Sequence, residues 1–204
     1  MPGKRTDAVL QRLASQYRVG VQVVDELQLV PTLESETSAL LSCLCLPLHA
    51  TVLDPCAGSG GIVRVFEHAG HVVMANDLNA SLGWPRSDDA LMPLFYGGRQ
   101  FDYIACSPWF AMLDLFFPLF CMACGVACFV HVPGHYYTDA TPYRKSLFES
   151  LARAGRLVVL SGLPVGPLGR RCLWLCVFKD SSVKSVVLHH TRLAVHDAGI
   201  LPVV

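Results

Sequence analysis

Charged residues are scarce in this sequence. Lys and Arg number 16 and Asp and Glu another 16, together 16% of 204 residues, and the formal net charge is zero. That balance excludes a strongly basic character for the chain as a whole, so any nucleic-acid contact has to rest on a local patch. Intrinsic disorder is excluded too, because 52% of the residues are hydrophobic and disorder needs low hydrophobicity with high net charge. The opening Met-Pro-Gly-Lys-Arg-Thr-Asp has no apolar stretch behind its charges, so no secretory leader is expected. Cysteine is plentiful, but a paired framework is missing: nine is an odd number, and most of them sit in apolar runs. Reduced, buried thiols in a cytoplasmic or nuclear protein are the expectation. Cys121-x-x-Cys124 has no second such pair to complete a four-ligand zinc site, so no metal is expected.

What is present in quantity is apolar sequence. Leu115 to Val130 is almost continuously hydrophobic and close to the length of a membrane span. Pro118 and Gly125 interrupt it and no Lys/Arg cluster flanks it, so it is expected to form a helix and then a buried strand, without membrane contact. Before it, Val9, Leu10, Leu13 and Tyr17 suit one face of an amphipathic helix in an N-terminal arm of residues 1–30. Pro31-Thr32 starts a second helix carrying Leu33, Leu40, Leu41 and Leu44. From residue 51 the pattern is strand, glycine loop, helix, strand: Thr51–Leu53, then Asp54–Gly61, Ile62–Ala69 and His71–Ala75. Further strands are expected at Asp102–Ala105, Val126–Val132, Arg156–Leu160 and Cys172–Lys179, with helices near Ala111–Ala123 and Pro142–Ala154. Such alternation predicts an α/β domain over residues 31–180, a doubly wound and mostly parallel sheet with a C-terminal antiparallel hairpin. Residues 181–204 read as an edge strand or tail.

The loop Asp54-Pro55-Cys56-Ala57-Gly58-Ser59-Gly60-Gly61 lies at the carboxyl edge of that sheet, where glycines allow a sharp turn and a close approach to a ligand. Asp77 ends the next expected strand, about 20 residues on, where a carboxylate can accept both hydroxyls of an adenosine ribose. The loop lacks the Gly-x-Gly-x-x-Gly spacing of dehydrogenases. Together with Ala75-Asn76-Asp77-Leu78-Asn79 it resembles the first two motifs of S-adenosylmethionine-dependent amino-methyltransferases, in particular small phage-type enzymes acting on adenine N6 or cytosine N4 of DNA. That resemblance runs from about Pro31 to Lys179 and implies a class I, Rossmann-like, seven-stranded fold. It implies S-adenosyl-L-methionine as cofactor, bound by Asp54, Pro55, Cys56, Ala57, Gly58, Gly60, Asp77 and Leu78, with Asp88 or Asp89 near the adenine and Thr32 near the methionine end.

Ser107-Pro108-Trp109-Phe110 follows the Asp102–Ala105 strand and resembles the family's acceptor motif, an Asn, Asp or Ser before Pro-Pro and an aromatic. A planar amine has to be held in line with the methyl donor. In this reading the Ser107 oxygen and the Pro108 carbonyl accept its N–H bonds, and Phe110 stacks on a single-stranded or flipped base. Trp109 departs from the family's second proline and gives up its fixed backbone angle, so the loop either keeps its shape by packing or belongs to a decayed site. Serine here does not decide between adenine and cytosine. Two other readings stay open: methylation of a protein amide, as in release-factor glutamine methyltransferases, and an inactive methyltransferase-like binding protein. No segment is large enough for a separate target-recognition domain, which points to a protein partner in that role. His135, Tyr136 and Tyr137 are expected on the active edge, and Arg144, Lys145, Arg153, Arg156 and Arg170-Arg171 are candidate phosphate contacts.

Overall fold

The computed structural model describes residues 32–97, 101–161, 172–182 and 195–197. The expected arm of residues 1–30, Pro31 and Arg170-Arg171 lie outside them. Helix α1 (Glu34–Ser42) has no side-chain cap from Leu33; instead Glu36 reaches back and accepts the Leu33 N–H at 3.0 Å. The chain then runs β1 (Thr51–Asp54), α2 (Gly61–His68), β2 (Val72–Ala75), α3 (Pro93–Tyr96), β3 (Phe101–Cys106), α4 (Leu113–Ala123) and β4 (Cys124–Pro133). It continues through α5 (Gly134–Thr138), α6 (Pro142–Arg153), β5 (Leu157–Leu160), β6 (Cys172–Phe178) and the short β7 (Val195–Asp197). The apolar run splits as expected: the helix ends at Ala123 and the strand begins at Cys124. Among the described residues, no helix is long and apolar enough to cross a membrane.

The strands form one sheet in the order β2-β1-β3-β4-β6-β5-β7. Pairs β1/β2, β1/β3 and β3/β4 are parallel, whereas β4/β6, β5/β6 and β5/β7 are antiparallel. The expectation of a mostly parallel, seven-stranded sheet is therefore corrected. The sheet is mixed, and its body is the strands β1 to β6, with only the three-residue β7 beyond them. The reason lies in the connections. Strand β5 returns after α6, and β6 lies between β4 and β5, antiparallel to both. The expected hairpin of β5 and β6 is present.

Side chains alternate across the sheet, as a pleated strand requires. Ile104, Cys128, Val130, Val132, Leu175 and Val177 face α4 and α6, where Phe117, Phe120 and Phe148 fill one core. Tyr103, Phe129, Val158, Trp174 and Cys176 face the other way, onto Leu40 of α1 and Phe66 of α2. Covering both faces leaves the carboxyl ends of β1, β3 and β4 as the open edge, and the loops leaving those ends carry the candidate site.

Candidate functional site

The loop after β1 is shaped by where its backbone groups go. Gly60 N–H closes a turn onto the Ala57 carbonyl at 2.8 Å, and Gly60 has φ +85°, a left-handed conformation that glycine adopts at little cost. A Cβ at Gly61 would sit 2.2 Å from the Thr32 carbonyl oxygen, so the segment before α1 lies directly on the start of α2. Thr32 thus borders the loop. Arg64 adds to the junction, pairing with Glu34 at 2.6 Å and donating to the Ser59 carbonyl at 2.7 Å.

Asp77 leaves β2 beside this loop. One carboxylate oxygen accepts the Gly58 N–H at 2.8 Å and the other the Asn79 N–H at 2.9 Å. Each oxygen keeps capacity for a further donor. Among the described residues, no atom lies within 4 Å of where a Gly58 Cβ would point, which leaves space over the turn. Leu78 is half exposed and Asp89 is exposed, its carboxylate accepting the Leu91 N–H at 2.9 Å. Asp88 pairs with Arg86.

The residue that ties these parts together is Asn76, which is fully buried. Its amide donates to the Pro55 carbonyl at 2.9 Å and the Asp88 carbonyl at 3.0 Å, and its oxygen accepts the Asp88 N–H at 2.9 Å. Its own carbonyl takes the Ala57 N–H at 2.8 Å. Trp84 adds a second clasp, donating from Nε1 to the Gly58 carbonyl at 2.9 Å while its ring lies against Gly60. Sequence reading missed both: Asn76 passes for part of a motif, and nothing in the spacing marks Trp84.

Asp54 is completely buried at the end of β1. Oδ1 accepts the Cys56 N–H at 3.2 Å, and Oδ2 has no hydrogen-bond partner among the described residues. Burial pushes its carboxyl up to about 7, against the opposing pull of the Cys56 N–H and the Cys106 thiol.

The tetrapeptide follows β3, the strand that pairs in parallel with β1. Ser107 is half-buried, Pro108 buried, and Trp109 and Phe110 partly exposed. Trp109 has φ −53° and ψ 117°, within the range that a proline ring would impose. A proline would therefore be compatible with the backbone angle at this residue. Phe110 opens a 3₁₀ turn and packs against the core on one side. Ser107 Oγ lies 3.3 Å from His131 Nδ1 of β4. His131 stacks at 4.8 Å on Trp174, and its Nε2 stands 3.6 Å from Glu36 Oε1 of α1. Ser107, His131 and Glu36 thus form a chain of polar groups reaching from the tetrapeptide to α1, and the sequence gives no hint of it.

The remaining candidate residues divide between internally bonded and exposed positions. Tyr136 is buried, with its hydroxyl donating to Asp114 at 3.0 Å, so it holds α5 to α4 and does not face a substrate. His135 is exposed. Arg144 forms a two-pronged bridge to Asp114 at 2.7 and 2.9 Å, Arg153 pairs with Glu149, and Arg156 donates to the Phe178 carbonyl. Arg144 and Arg156 are engaged within the fold, whereas Arg153 makes only an exposed pair one helical turn away. Cys121 and Cys128 approach to 4.0 Å.

No family model matches the chain, and no curated protein sequence does. Solved structures match in fold. The fibrillarin/Nop5p complex matches with a TM-score of 0.52 at 15% identity, over 72% of this chain and 80% of that one. Precorrin-6y C5,15-methyltransferase from Geobacter metallireducens matches with a TM-score of 0.50 at 12% identity, over 71% and 86%. The type I restriction-modification methyltransferase subunit from Streptococcus thermophilus gives a TM-score of 0.48 at 12% identity, over 71% of this chain but 42% of that one, so the chain spans less than half of that subunit. The architecture is that of class I, Rossmann-like methyltransferases, and at these identities the likeness speaks for the fold alone.

Proposed function

We propose that the chain is an S-adenosylmethionine-dependent methyltransferase acting on an exocyclic amine of a nucleic-acid base, adenine N6 or cytosine N4. The observation that carries this reading is the shared edge. A glycine loop clasped to Asp77 and a Ser-Pro-aromatic loop leave the carboxyl ends of adjacent parallel strands, β1 and β3. The residues present fit the cofactor. Asp77 retains acceptor capacity for ribose hydroxyls, Gly58 leaves open space above the turn, and Asp54 offers a buried, unpartnered oxygen that a cationic ligand would satisfy. Thr32 and the Gly61 backbone border the same loop, while Leu78 and Asp89 lie at its exposed rim on the adenine side of the assignment.

When bound, the cofactor supplies an electrophilic methyl group on a sulfonium, so the protein needs no strong general base. What the chain itself does is orient. The Ser107 oxygen and the Pro108 carbonyl accept the two N–H bonds of the amine, and the His131 ring holds the Ser107 hydroxyl at 3.3 Å. Phe110, supported on one side by the core, offers its exposed side for stacking on a single-stranded or flipped base. The proline-like angle at Trp109 favours a working loop over a decayed one. Since Arg144 and Arg156 are engaged internally, target recognition is assigned to a protein partner rather than to these two arginines.

The test is calorimetry with S-adenosylmethionine, followed by transfer of a labelled methyl group to DNA and RNA oligonucleotides and to a protein pool. Asp77→Ala should weaken cofactor binding by about 1.5–3 kcal/mol, the scale of hydrogen bonds involving a charged group. Ser107→Ala should lower transfer with cofactor affinity nearly unchanged. Label appearing only in protein, or no binding by the unmutated chain, would refute the assignment.

A further inference from the structure

Among the described residues, the Ser107–His131–Glu36 chain ends at two buried polar atoms that make no hydrogen bond. Glu36 is 2% exposed and His131 3% exposed. Glu36 uses Oε2 to accept the Leu33 N–H, leaving Oε1 without a hydrogen bond; His131 uses Nδ1 toward Ser107, leaving Nε2 without one. These two atoms face each other at 3.6 Å, too long for a hydrogen bond. If Nδ1–H donates to Ser107, Nε2 is a lone pair aimed at a carboxylate oxygen. Two buried acceptors facing one another call for a cation between them.

The sheet brings a third ligand to the same point. His131 pairs with Trp174 across β4/β6, and Cys172 lies one pleat before Trp174 on the same face. Its thiol is therefore diagonal to the imidazole, within side-chain reach. Glu36, His131 and Cys172 offer ligand atoms that all lie within 4.8 Å of one another. We propose that Glu36, His131 and Cys172 form a zinc site beneath the acceptor loop, with a fourth position left for water.

The chemistry of the donors selects the ion. Thiolate, imidazole and carboxylate together suit zinc, whose bonds of about 2.0–2.3 Å set ligand atoms roughly 3.4–3.5 Å apart in a tetrahedron. Glu36 and His131 already stand at that spacing, and a change of side-chain angle at Cys172 completes it. Outer contacts of the kind found around metal ligands are in place. Leu33 N–H holds the second oxygen of Glu36, Ser107 fixes the histidine tautomer, and Trp174 walls the site while its Nε1 donates to the Glu36 carbonyl at 3.2 Å. Three elements distant in sequence, α1, β4 and β6, are joined there. A bound ion would pin α1, and with it Thr32, to the sheet, and would hold Ser107 through His131. None of this depends on methyl transfer.

The experiment reads metal directly. The full chain is stripped of metal and titrated with Co2+, then with Zn2+ against a chromophoric chelator. The expected result is one Co2+ per chain with a tetrahedral d–d spectrum and a thiolate-to-cobalt charge-transfer band, displaced by Zn2+. Cys172→Ser should abolish the charge-transfer band, whereas Cys121→Ser, in the other thiol cluster, should leave it intact. Ser107→Ala should lower Zn2+ affinity about 10-fold or more with the stoichiometry kept, the size of effect usual for outer-shell partners. Because His131→Ala removes a buried ring and risks misfolding, Cys172→Ser is also followed by thermal unfolding. Zn2+ should raise the unfolding temperature of the unmutated chain and not that of Cys172→Ser. No Co2+ binding, a charge-transfer band that survives Cys172→Ser, or an unfolding temperature indifferent to Zn2+ would each overturn the site. The Glu36–His131 contact would then be a protonated ion pair.

Discussion

The loop after β1 and the loop after β3 leave neighbouring strands side by side, yet they are held in different ways. The glycine loop is fixed by bonds of 2.8–3.0 Å to backbone groups, gathered by one buried amide, Asn76, and by the Asp77 carboxylate. The loop after β3 has a side-chain contact of 3.3 Å to His131 of β4, which in turn stands 3.6 Å from Glu36 of α1. The first region has its geometry built into the local chain. The second is assembled from distant parts and, among the described residues, leaves two buried polar atoms without a hydrogen bond. Preorganisation is thus unequal: the polar groups around the first loop are largely paired within the chain, and those behind the second are not.

The strongest way to break this contrast is Asn76→Ala. The Pro55 carbonyl, the Asp88 carbonyl and the Asp88 N–H all lose their partner. At roughly 1 kcal/mol for each such group, the cost should be about 3 kcal/mol in urea unfolding. A loss below about 1 kcal/mol would show that the loop does not depend on its buried amide.

Asp54 is the exception inside the well-held region, and pH exposes it. Its carboxyl is raised by burial from the ordinary 3.8 to about 7. Below pH 4 the group is protonated whether the chain is folded or not, and burial costs nothing extra. Between about pH 4 and 7 the unfolded chain releases the proton while the folded one keeps it, so stability falls as pH rises and levels off above 7. Asp54→Asn should remove that slope, and at pH 8 the variant should gain on the order of 4 kcal/mol over the unmutated chain relative to pH 4. An unchanged pH profile of urea midpoints would show that Asp54 ionises freely.

The smallest effect is expected at Trp109→Pro. Since the φ of −53° is already compatible with proline, the substitution should leave S-adenosylmethionine affinity within a factor of about two by calorimetry. A tenfold loss would show that indole packing shapes the loop rather than the backbone angle.

Much of this arrangement is legible in the residues. Glycines between two apolar segments, then an acidic residue after the second, mark a strand-loop-helix-strand unit with a carboxylate over the loop. The proline and glycine in the Leu115–Val130 run mark where a helix gives way to a strand. Strand direction is another matter, because an apolar run such as Cys172–Phe178 reads the same in a parallel or an antiparallel place. The mixed sheet follows from β6 inserting beside β4, a long-range choice without a local signature. The place of Tyr136 is hidden for a related reason: a tyrosine after a strand can face a substrate or the fold, and only the bond to Asp114 decides for the fold. Glu36, His131 and Cys172 are invisible as a group because three separate elements bring them together. By contrast, Asn76 was in plain view, and a buried amide among backbone groups is a use of asparagine that composition and spacing do not announce.

The contact between Gly61 and Thr32 has a practical consequence for anyone engineering this chain. Exchanging a glycine in a helix for alanine is a common route to a more robust protein, worth about 1 kcal/mol in helix propensity. Gly61 opens α2 and looks like such an opportunity. Yet the Thr32 carbonyl occupies the place that the new methyl group would need, 2.2 Å away. The exchange would lift the segment before α1 off the loop and carry Glu36 with it. A thermostabilising campaign or a mutational library should therefore treat residue 61 as closed to every side chain, and regard the start of this helix as part of the site rather than as scaffold.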